Sequence, residues 1–181
     1  ADALDGARRV QAIVRDLRTF SRGDDASVGP VDLARVVASA LALAANELRH
    51  RARVVVDVAG APPPLGNEAR LGQVILNLVV NAAHAVPEGN AAGNSVSISA
   101  RREGERVAIE VADTGAGVPP DIRARIFDPF FTTKPNGTGL GLSISHGIVR
   151  DHGGTLDVES QPGKGTWFTI TFPGVAAGSR A

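Results

Sequence analysis

Apolar positions three and four residues apart open the chain. Val10, Ile13, Val14, Leu17 and Phe20 form one stripe over residues 3–20, with Arg8, Arg9, Arg15, Asp16 and Arg18 outside it, which predicts an amphipathic helix. Such a helix needs a partner: either it folds back on the residues that follow, or it is half of a helical hairpin. From Ser21 to Pro30 the pattern breaks into Gly, Asp, Ser and Pro, as a linker does. Asp32 supplies an N-cap for a second helix running to about Arg49, rich in Val, Ala and Leu on its buried face. Arg53 to Val58 then predicts a strand, closed by Gly60 and Pro62-Pro63-Pro64.

Asn67 caps the next helix, with Glu68 in its first turn where negative charge complements the dipole. At 100° per residue, Leu71, Val74, Ile75, Leu78, Val79, Ala82 and Ala85 cover one side, while Asn77, Asn81 and His84 line up along the other. A solvated face usually carries Lys and Glu. Two asparagines four apart suggest instead a cavity wall, set against the plainer reading of a satisfied polar face. An amide oxygen is a hard ligand suited to Mg²⁺, a cation that keeps several waters and leans on substrate phosphates.

After a Gly- and Asn-rich loop from Pro87 to Asn94, residues 95–101 alternate as a strand, Glu103-Gly104-Glu105 turns the chain, and residues 106–112 return it as a hairpin. Parity is informative here. Val107, Ile109 and Val111 share one face, and Asp113 continues that face rather than the solvent side. A carboxylate aimed at the core needs donors there or a ligand that brings them, unless it merely caps the turn that follows. Thr114 to Pro120 makes that turn, and a short helix is expected from Asp121 to Phe127. Asp128 to Asn136 then runs irregularly, with Phe130 and Phe131 reading either as the hinge of a Lys134-bearing lid or as ordinary core residues.

Gly137-Thr138-Gly139-Leu140-Gly141-Leu142 follows, and residues 143–149 read as a helix ending at Gly153. A glycine-rich turn feeding a helix N-terminus offers free N–H groups and the positive dipole end to phosphate oxygens, although such turns also occur as plain loops. Two alternating strands, Gly154 to Glu159 and Thr166 to Phe172, close the pattern, and a frayed tail is expected from Gly174. Composition adds exclusions. Nineteen acidic and nineteen basic side chains give zero formal charge, which gives no support to a broad nucleic-acid or anionic-membrane surface. The absence of cysteine removes disulfides and thiolate metal sites and fits a reducing compartment. No apolar run approaches the roughly 20 residues a bilayer requires, and no signal peptide opens the sequence, so a cytoplasmic chain is expected, free or as the cytoplasmic part of a membrane-anchored parent.

Five ordered segments carry a resemblance. Asn77-Leu-Val-Val-Asn81-Ala-Ala-His-Ala85, Asp113-Thr-Gly-Ala-Gly117, Phe127-Asp-Pro-Phe-Phe-Thr-Thr-Lys134, Gly137-Thr-Gly-Leu-Gly141-Leu142 and Gly163-Lys-Gly-Thr166 resemble the N, G1, F, G2 and G3 boxes of sensor histidine kinases. The resemblance implies an α+β fold: the two-layer α/β sandwich of the gyrase, Hsp90, histidine kinase and MutL superfamily, with helices on one face of a mixed sheet and ATP between helices and lid. It assigns Asp113 to the adenine amino group, Gly115 and Gly117 to close backbone approach, and Val118 and Thr166 to the purine's surroundings. Asn81 would hold Mg²⁺ between the phosphates, Asn77 would support that shell, and His84 stands where a phosphate-contacting side chain is often found. Thr132, Thr133 and Lys134 belong to the lid, and Gly137, Thr138, Gly139, Leu140, Gly141 and Leu142 would close over the triphosphate. Preorganised dipoles and a metal are the expected means of stabilising phosphoryl transfer.

The resemblance also divides the chain. Residues 1–22 are similar to the second helix of a dimerisation and phosphotransfer hairpin, 23–30 to the linker, 31–173 to the catalytic ATP-binding domain, and 174–181 form the tail. Where the ATPase branches carry a Glu four residues before the metal-binding Asn, this chain has Asn77, and an amide cannot serve as a base for water, so slow ATP hydrolysis is expected. None of His50, His84, His146 or His152 sits on a hairpin helix followed by an acidic residue, so the phosphoacceptor is expected upstream of this sequence. The implied partners are that helical domain, a response-regulator receiver domain, and a second copy through residues 1–22. Two other readings share the fold: a nucleotide-controlled interaction module without phosphotransfer, and a serine kinase of the anti-sigma type.

Overall fold

The computed structural model describes residues 28–135 and 137–175, so the predicted helix over residues 3–20 lies outside the described residues. Gly29–Pro30 (β1) leads into Leu33–Leu43 (α1), Ala45–Leu48 (α2), Arg53–Asp57 (β2), Leu65–Gly66 (β3), Glu68–Ala85 (α3), Ser95–Glu103 (β4) and Arg106–Asp113 (β5). Pro120–Arg123 (α4), Gly141–Asp151 (α5), Thr155–Gln161 (β6) and Gly165–Pro173 (β7) complete the order. Five strands form one mixed sheet in the order β2-β4-β5-β7-β6, in which only β2 and β4 run parallel, and β1 and β3 form a separate two-stranded ladder.

The helices pack on one face of that sheet. Leu71, Val74, Ile75, Leu78 and Val79 of α3 meet Val96 and Ile98 of β4, Val107, Ile109 and Val111 of β5, and Phe168, Ile170 and Phe172 of β7 in one continuous buried core. The opposite face carries mainly polar residues, with Ala108 and Ala112 too small to expose much. Burying a side chain such as Leu78 or Ile109 contributes about 1.5–3 kcal/mol each, which is what holds the helical layer on the sheet.

Both expected N-caps form: the Asp32 and Asn67 side chains each accept a hydrogen bond, 3.1 Å long, from the backbone N–H three residues on. Several boundaries shift. The helix expected to reach Arg49 breaks at Ala44, whose φ of −86° and ψ of 1° leave the helical region, and resumes for one turn. The helix expected over 121–127 is four residues, Pro120–Arg123, starting on a proline, and 124–129 continue as turns. On α3 the buried stripe takes Ala83 in place of Ala85, whose side chain borders a cavity instead. The linker's last residues, Gly29 and Pro30, are strand, and Gly174 and Val175 of the expected tail bond to Glu105 and Pro63 carbonyls.

Candidate functional site

Helix α3, the N-terminus of α5, and the ends of β5 and β7 enclose a cavity of about 540 Å³. Asp113 stands at one end. It continues the inward face of β5 behind Val107, Ile109 and Val111, as parity requires, and is 4% exposed. Its Oδ1 accepts the Gly115 N–H at 2.7 Å, which turns the chain sharply after the strand. Burial pushes the Asp113 carboxyl up to about 6, against the hydrogen bonds from the Gly115 and Thr166 backbones and the attraction of Lys134, which pull it down.

Beside Asp113 the floor is built by a residue that no motif pointed to. Ser160 Oγ donates to the Gly165 carbonyl at 2.9 Å, accepts the Val118 N–H at 2.7 Å, and lies 3.1 Å from Thr166 Oγ1. With its own proton on Gly165, Ser160 takes that of Thr166, which fixes the threonine hydroxyl with a lone pair to spare. The signal was present in the parity of β6, where Ser160 continues the inward face of Leu156 and Val158. Gly117, at φ +73°, lies against Gln161 and Pro162 so closely that a side chain would strike their backbone. Val80, Ala85, Ala116, Val118, Pro119, Ile122, Ile126, Phe131 and Phe168 make the adjoining wall apolar.

The opposite end is polar. Asn81 Oδ1 accepts a hydrogen bond from Lys134 Nζ at 2.8 Å. Burial pulls the Lys134 ammonium below its ordinary value while Asp113 raises it. Asn77 lines the same wall, but its Nδ2 donates to the Gly141 carbonyl at 3.1 Å and to Ser145 Oγ at 3.2 Å, so it ties α3 to the first turn of α5. His84 borders the cavity with its Nε2 2.9 Å from Glu47 Oε2, turned toward α2 at the rim.

The lid folds over this end. The Lys134 N–H donates to Thr132 Oγ1 at 3.1 Å, and the Phe130 N–H to the Gly139 carbonyl at 2.9 Å, pinning 128–134 to the glycine-rich turn. Gly139 has φ +68°, and a Cβ there would strike the Phe130 backbone. Phe131 faces the cavity with the Arg125 guanidinium 4.5 Å from its ring centre, whereas Phe130 is 68% exposed, so only one of the two phenylalanines packs. Gly141 and Leu142 already belong to the first turn of α5, so the helix opens two residues before the expected Ser143. Of the residues singled out in the sequence, Asn77, Asn81, His84, Asp113, Gly117, Val118, Thr132, Thr133, Lys134, Gly137, Thr138, Gly139, Gly141, Leu142 and Thr166 line the cavity. Gly115 lies behind Asp113, and Leu140 is the buried N-cap of α5; neither lines it.

An apolar slot ending in a buried acceptor, continuous with a lysine, an amide oxygen and a helix N-terminus, suits a flat heterocycle carrying an anionic tail. The chain is similar in sequence and in fold to known proteins. A family model described as histidine kinase-, DNA gyrase B-, and HSP90-like ATPase matches residues 66–176. The C4-dicarboxylate transport sensor protein DctB of Rhizobium meliloti (strain 1021) is 39% identical over 169 residues, which are 91% of this chain and 26% of DctB. The catalytic domain of histidine kinase ThkA superposes with a TM-score of 0.72 at 28% identity, covering 82% of this chain and 96% of that one. Full-length ShkA, solved in complex with AMPPNP, superposes with a TM-score of 0.77 at 31% identity over 93% of this chain and 36% of its own. The chain spans about a quarter of the length of the curated relatives DctB and DctS. A mixed five-stranded sheet with its helices on one face, Asp113 and Asn81 at the two ends of one cavity, and a model match over most of the chain agree: the chain belongs to the family of histidine kinase-, DNA gyrase B- and HSP90-like ATPases.

Proposed function

We propose that this chain is the ATP-binding catalytic part of a sensor histidine kinase, transferring the γ-phosphate of ATP to a histidine on a separate helical hairpin. One observation carries the reading: a buried carboxylate and a lysine-bound amide oxygen line a single cavity together with the α5 N-terminus. Asp113 would accept the adenine amino proton, Gly117 and Val118 would lie along the purine, and Lys134 and the turn 137–142 would take the phosphates.

Asn81 fits Mg²⁺ of a particular kind. Among the described residues no group of three or more His, Cys, Asp or Glu could hold a metal, so a caged ion does not suit this site. One amide oxygen, already attractive to a cation in Lys134, does suit an ion carried on phosphate oxygens and water. When bound, Mg²⁺ would neutralise charge developing on the phosphates. Everything else falls to the chain's own groups: the lid excludes water, and the α5 N-terminus and Lys134 hold the triphosphate.

Hydrolysis lacks a base. Both Asn77 amide protons are committed to Gly141 and Ser145, and no carboxylate of the described residues lines the phosphate end. The phosphoryl group would therefore pass to an incoming imidazole nitrogen, with the bond to ADP breaking as the P–N bond forms. Relatives such as ZraS, named a sensor histidine kinase, and NtrB, named a sensory histidine kinase/phosphatase, support that acceptor. In this reading residues 1–22 belong to the dimerisation hairpin and 23–30 to the linker. The partners are the acceptor helical domain and a response-regulator receiver, on the cytoplasmic side where ATP is found.

The test is phosphorylation in trans. With radiolabelled ATP and Mg²⁺ the chain should label a supplied hairpin domain carrying the acceptor histidine, with acid-labile phosphate, and should not label itself. Label on a histidine of this chain, acid-stable label on serine, or ATP turnover as fast as a dedicated ATPase would each overturn the reading.

A further inference from the structure

Strand β2 leaves apolar side chains open on a sheet edge. Val54, Val55 and Val56 are 39%, 53% and 44% exposed and account for three of the six exposed large hydrophobic residues among the described residues. Val96 and Ile98, the ladder partners of Val54 and Val56, are 0% exposed, so the helical layer covers β4 and stops short of β2. Among the described residues β2 has no neighbour on its outer side. An edge of this kind is normally blunted by charge, proline or a bulge; here all three central positions are β-branched and apolar.

The direction of the free hydrogen-bonding groups can be read from one bond. The Arg53 N–H donates to the Asn94 carbonyl at 3.0 Å, in a parallel ladder that sets Arg53 beside Ser95. Arg53, Val55 and Asp57 therefore turn their backbone groups toward β4, and Val54 and Val56 turn theirs outward.

We propose that β2 is a self-association strand: two copies of this chain join edge to edge, antiparallel, about a two-fold axis through Val55. Antiparallel pairing can set only outward-turned residues against outward-turned residues, so the register moves in steps of two. Centred on Val55, Val54 of each copy exchanges backbone hydrogen bonds with Val56 of the other. In that same register Arg53 of one copy stands opposite Asp57 of the second, and Asp57 opposite Arg53. These three positions share one face of the sheet, so two opposite-charge pairs flank a Val55–Val55 contact at non-hydrogen-bonded positions, where side chains come closest. Neither Arg53 nor Asp57 has an ion pair within the chain among the described residues that would compete. Sliding by two residues in either direction shortens the overlap and destroys both charge pairs.

The far edge of the sheet makes the contrast. On β6, Thr155, Asp157 and Glu159 share the solvent face, and the antiparallel self-pairings centred on Asp157, Val158 or Glu159, the middle of the strand, set an acid against itself or against the other acid. One edge is thus guarded and the other self-complementary. An isologous contact through β2 closes after two copies rather than growing into a filament. The nucleotide cavity draws no residue from β2, so both cavities stay open in the pair.

Sedimentation equilibrium of the whole 181-residue chain tests this. The native chain should show a monomer–dimer equilibrium. Arg53→Asp alone and Asp57→Arg alone should each weaken it about tenfold, since each converts two attractive cross-strand pairs into repulsive ones. The double variant Arg53→Asp/Asp57→Arg should restore it, and so should an equimolar mixture of the two single variants, whose strands are mutually complementary. ADP binding serves as the fold control and should be equal in all four proteins. A chain that stays monomeric to millimolar concentration, or one whose association ignores these charges, overturns the proposal. The first result is the one that a site on β2 meant for another protein's peptide would give, and the second the one that pairing through residues 1–22 would give. Because the readout is self-association, it is independent of whether the cavity transfers phosphate.

Discussion

At Asp113 one carboxylate is asked to do two things that conflict. Burial raises its pKa from 3.8 to about 6, so the group favours folding most when protonated. That contribution is whole below pH 3.8 and is lost as pH rises through about 6, a difference of about 3 kcal/mol. Nucleotide binding runs the other way, because only the carboxylate accepts the adenine amino proton on both lone pairs without presenting a proton of its own. ADP affinity is thus expected to be flat above about pH 7 and to fall as pH drops through 6, which calorimetric titrations at several pH values would reveal. Asp113→Asn separates the two: at pH 8 it should raise unfolding stability in urea by up to about 3 kcal/mol while weakening ADP binding a hundredfold or more. An affinity unchanged by this substitution would remove the adenine from this end of the cavity. At the other end, Lys134 is one of only two lysines in a chain that otherwise uses arginine, and its ammonium is held on Asn81. Lys134→Ala should weaken ADP about tenfold and adenosine much less, since the ammonium sits on Asn81 at the phosphate end and reaches Asp113 only as a distant attraction.

Between elements, the consequential contact is the one from α3 to α5 through Asn77. Its amide N–H groups donate to a carbonyl oxygen and to a hydroxyl, and the carbonyl, which can only accept, needs a donor on the asparagine side. Asn77→Asp would set a carboxylate oxygen against the Gly141 carbonyl, so denaturation should report a loss of about 2–3 kcal/mol, and a loss under 0.5 would mean that the two helices are joined by other contacts. Asn77 also illustrates what a linear pattern can hold. Helical spacing placed it on one stripe with Asn81 and His84, and the structure puts all three on the cavity wall. That α5 would cross in front and claim the Asn77 amide is a long-range fact with no local signature, as is the turn of His84 toward Glu47. Local signatures worked where local physics decides: the Asp32 and Asn67 caps, and the inward parity of Asp113. They failed at Ala44, where a helix breaks without glycine or proline; at β2 they found the strand, but its place at an edge that the helices do not reach is a matter of sheet order with no local signature.

For the molecule as a whole, the cavity exists only when the two layers have come together. One wall comes from α3 and α5 and the other from β5 and β7, so residues as far apart in sequence as Asn77 and Thr166 meet there. A nucleotide bound there binds the folded chain and has no purchase on the unfolded one, so it must raise the melting temperature by mass action. At a free ADP concentration 100 times its Kd, with Mg²⁺ present, the gain is about 2.7 kcal/mol, which corresponds to roughly 5–10 °C for a chain of this size. The variants then sort by baseline and shift together. Asp113→Asn should melt higher than the native chain and lose the shift; Asn77→Asp should melt lower and keep a reduced one; the β2 charge variants should keep the whole of it. Equal shifts in the native chain and Asp113→Asn at the same ligand concentration would mean that the ligand stabilises the fold from somewhere other than the space between the layers, and the assignment of both ends of the cavity would fall with it.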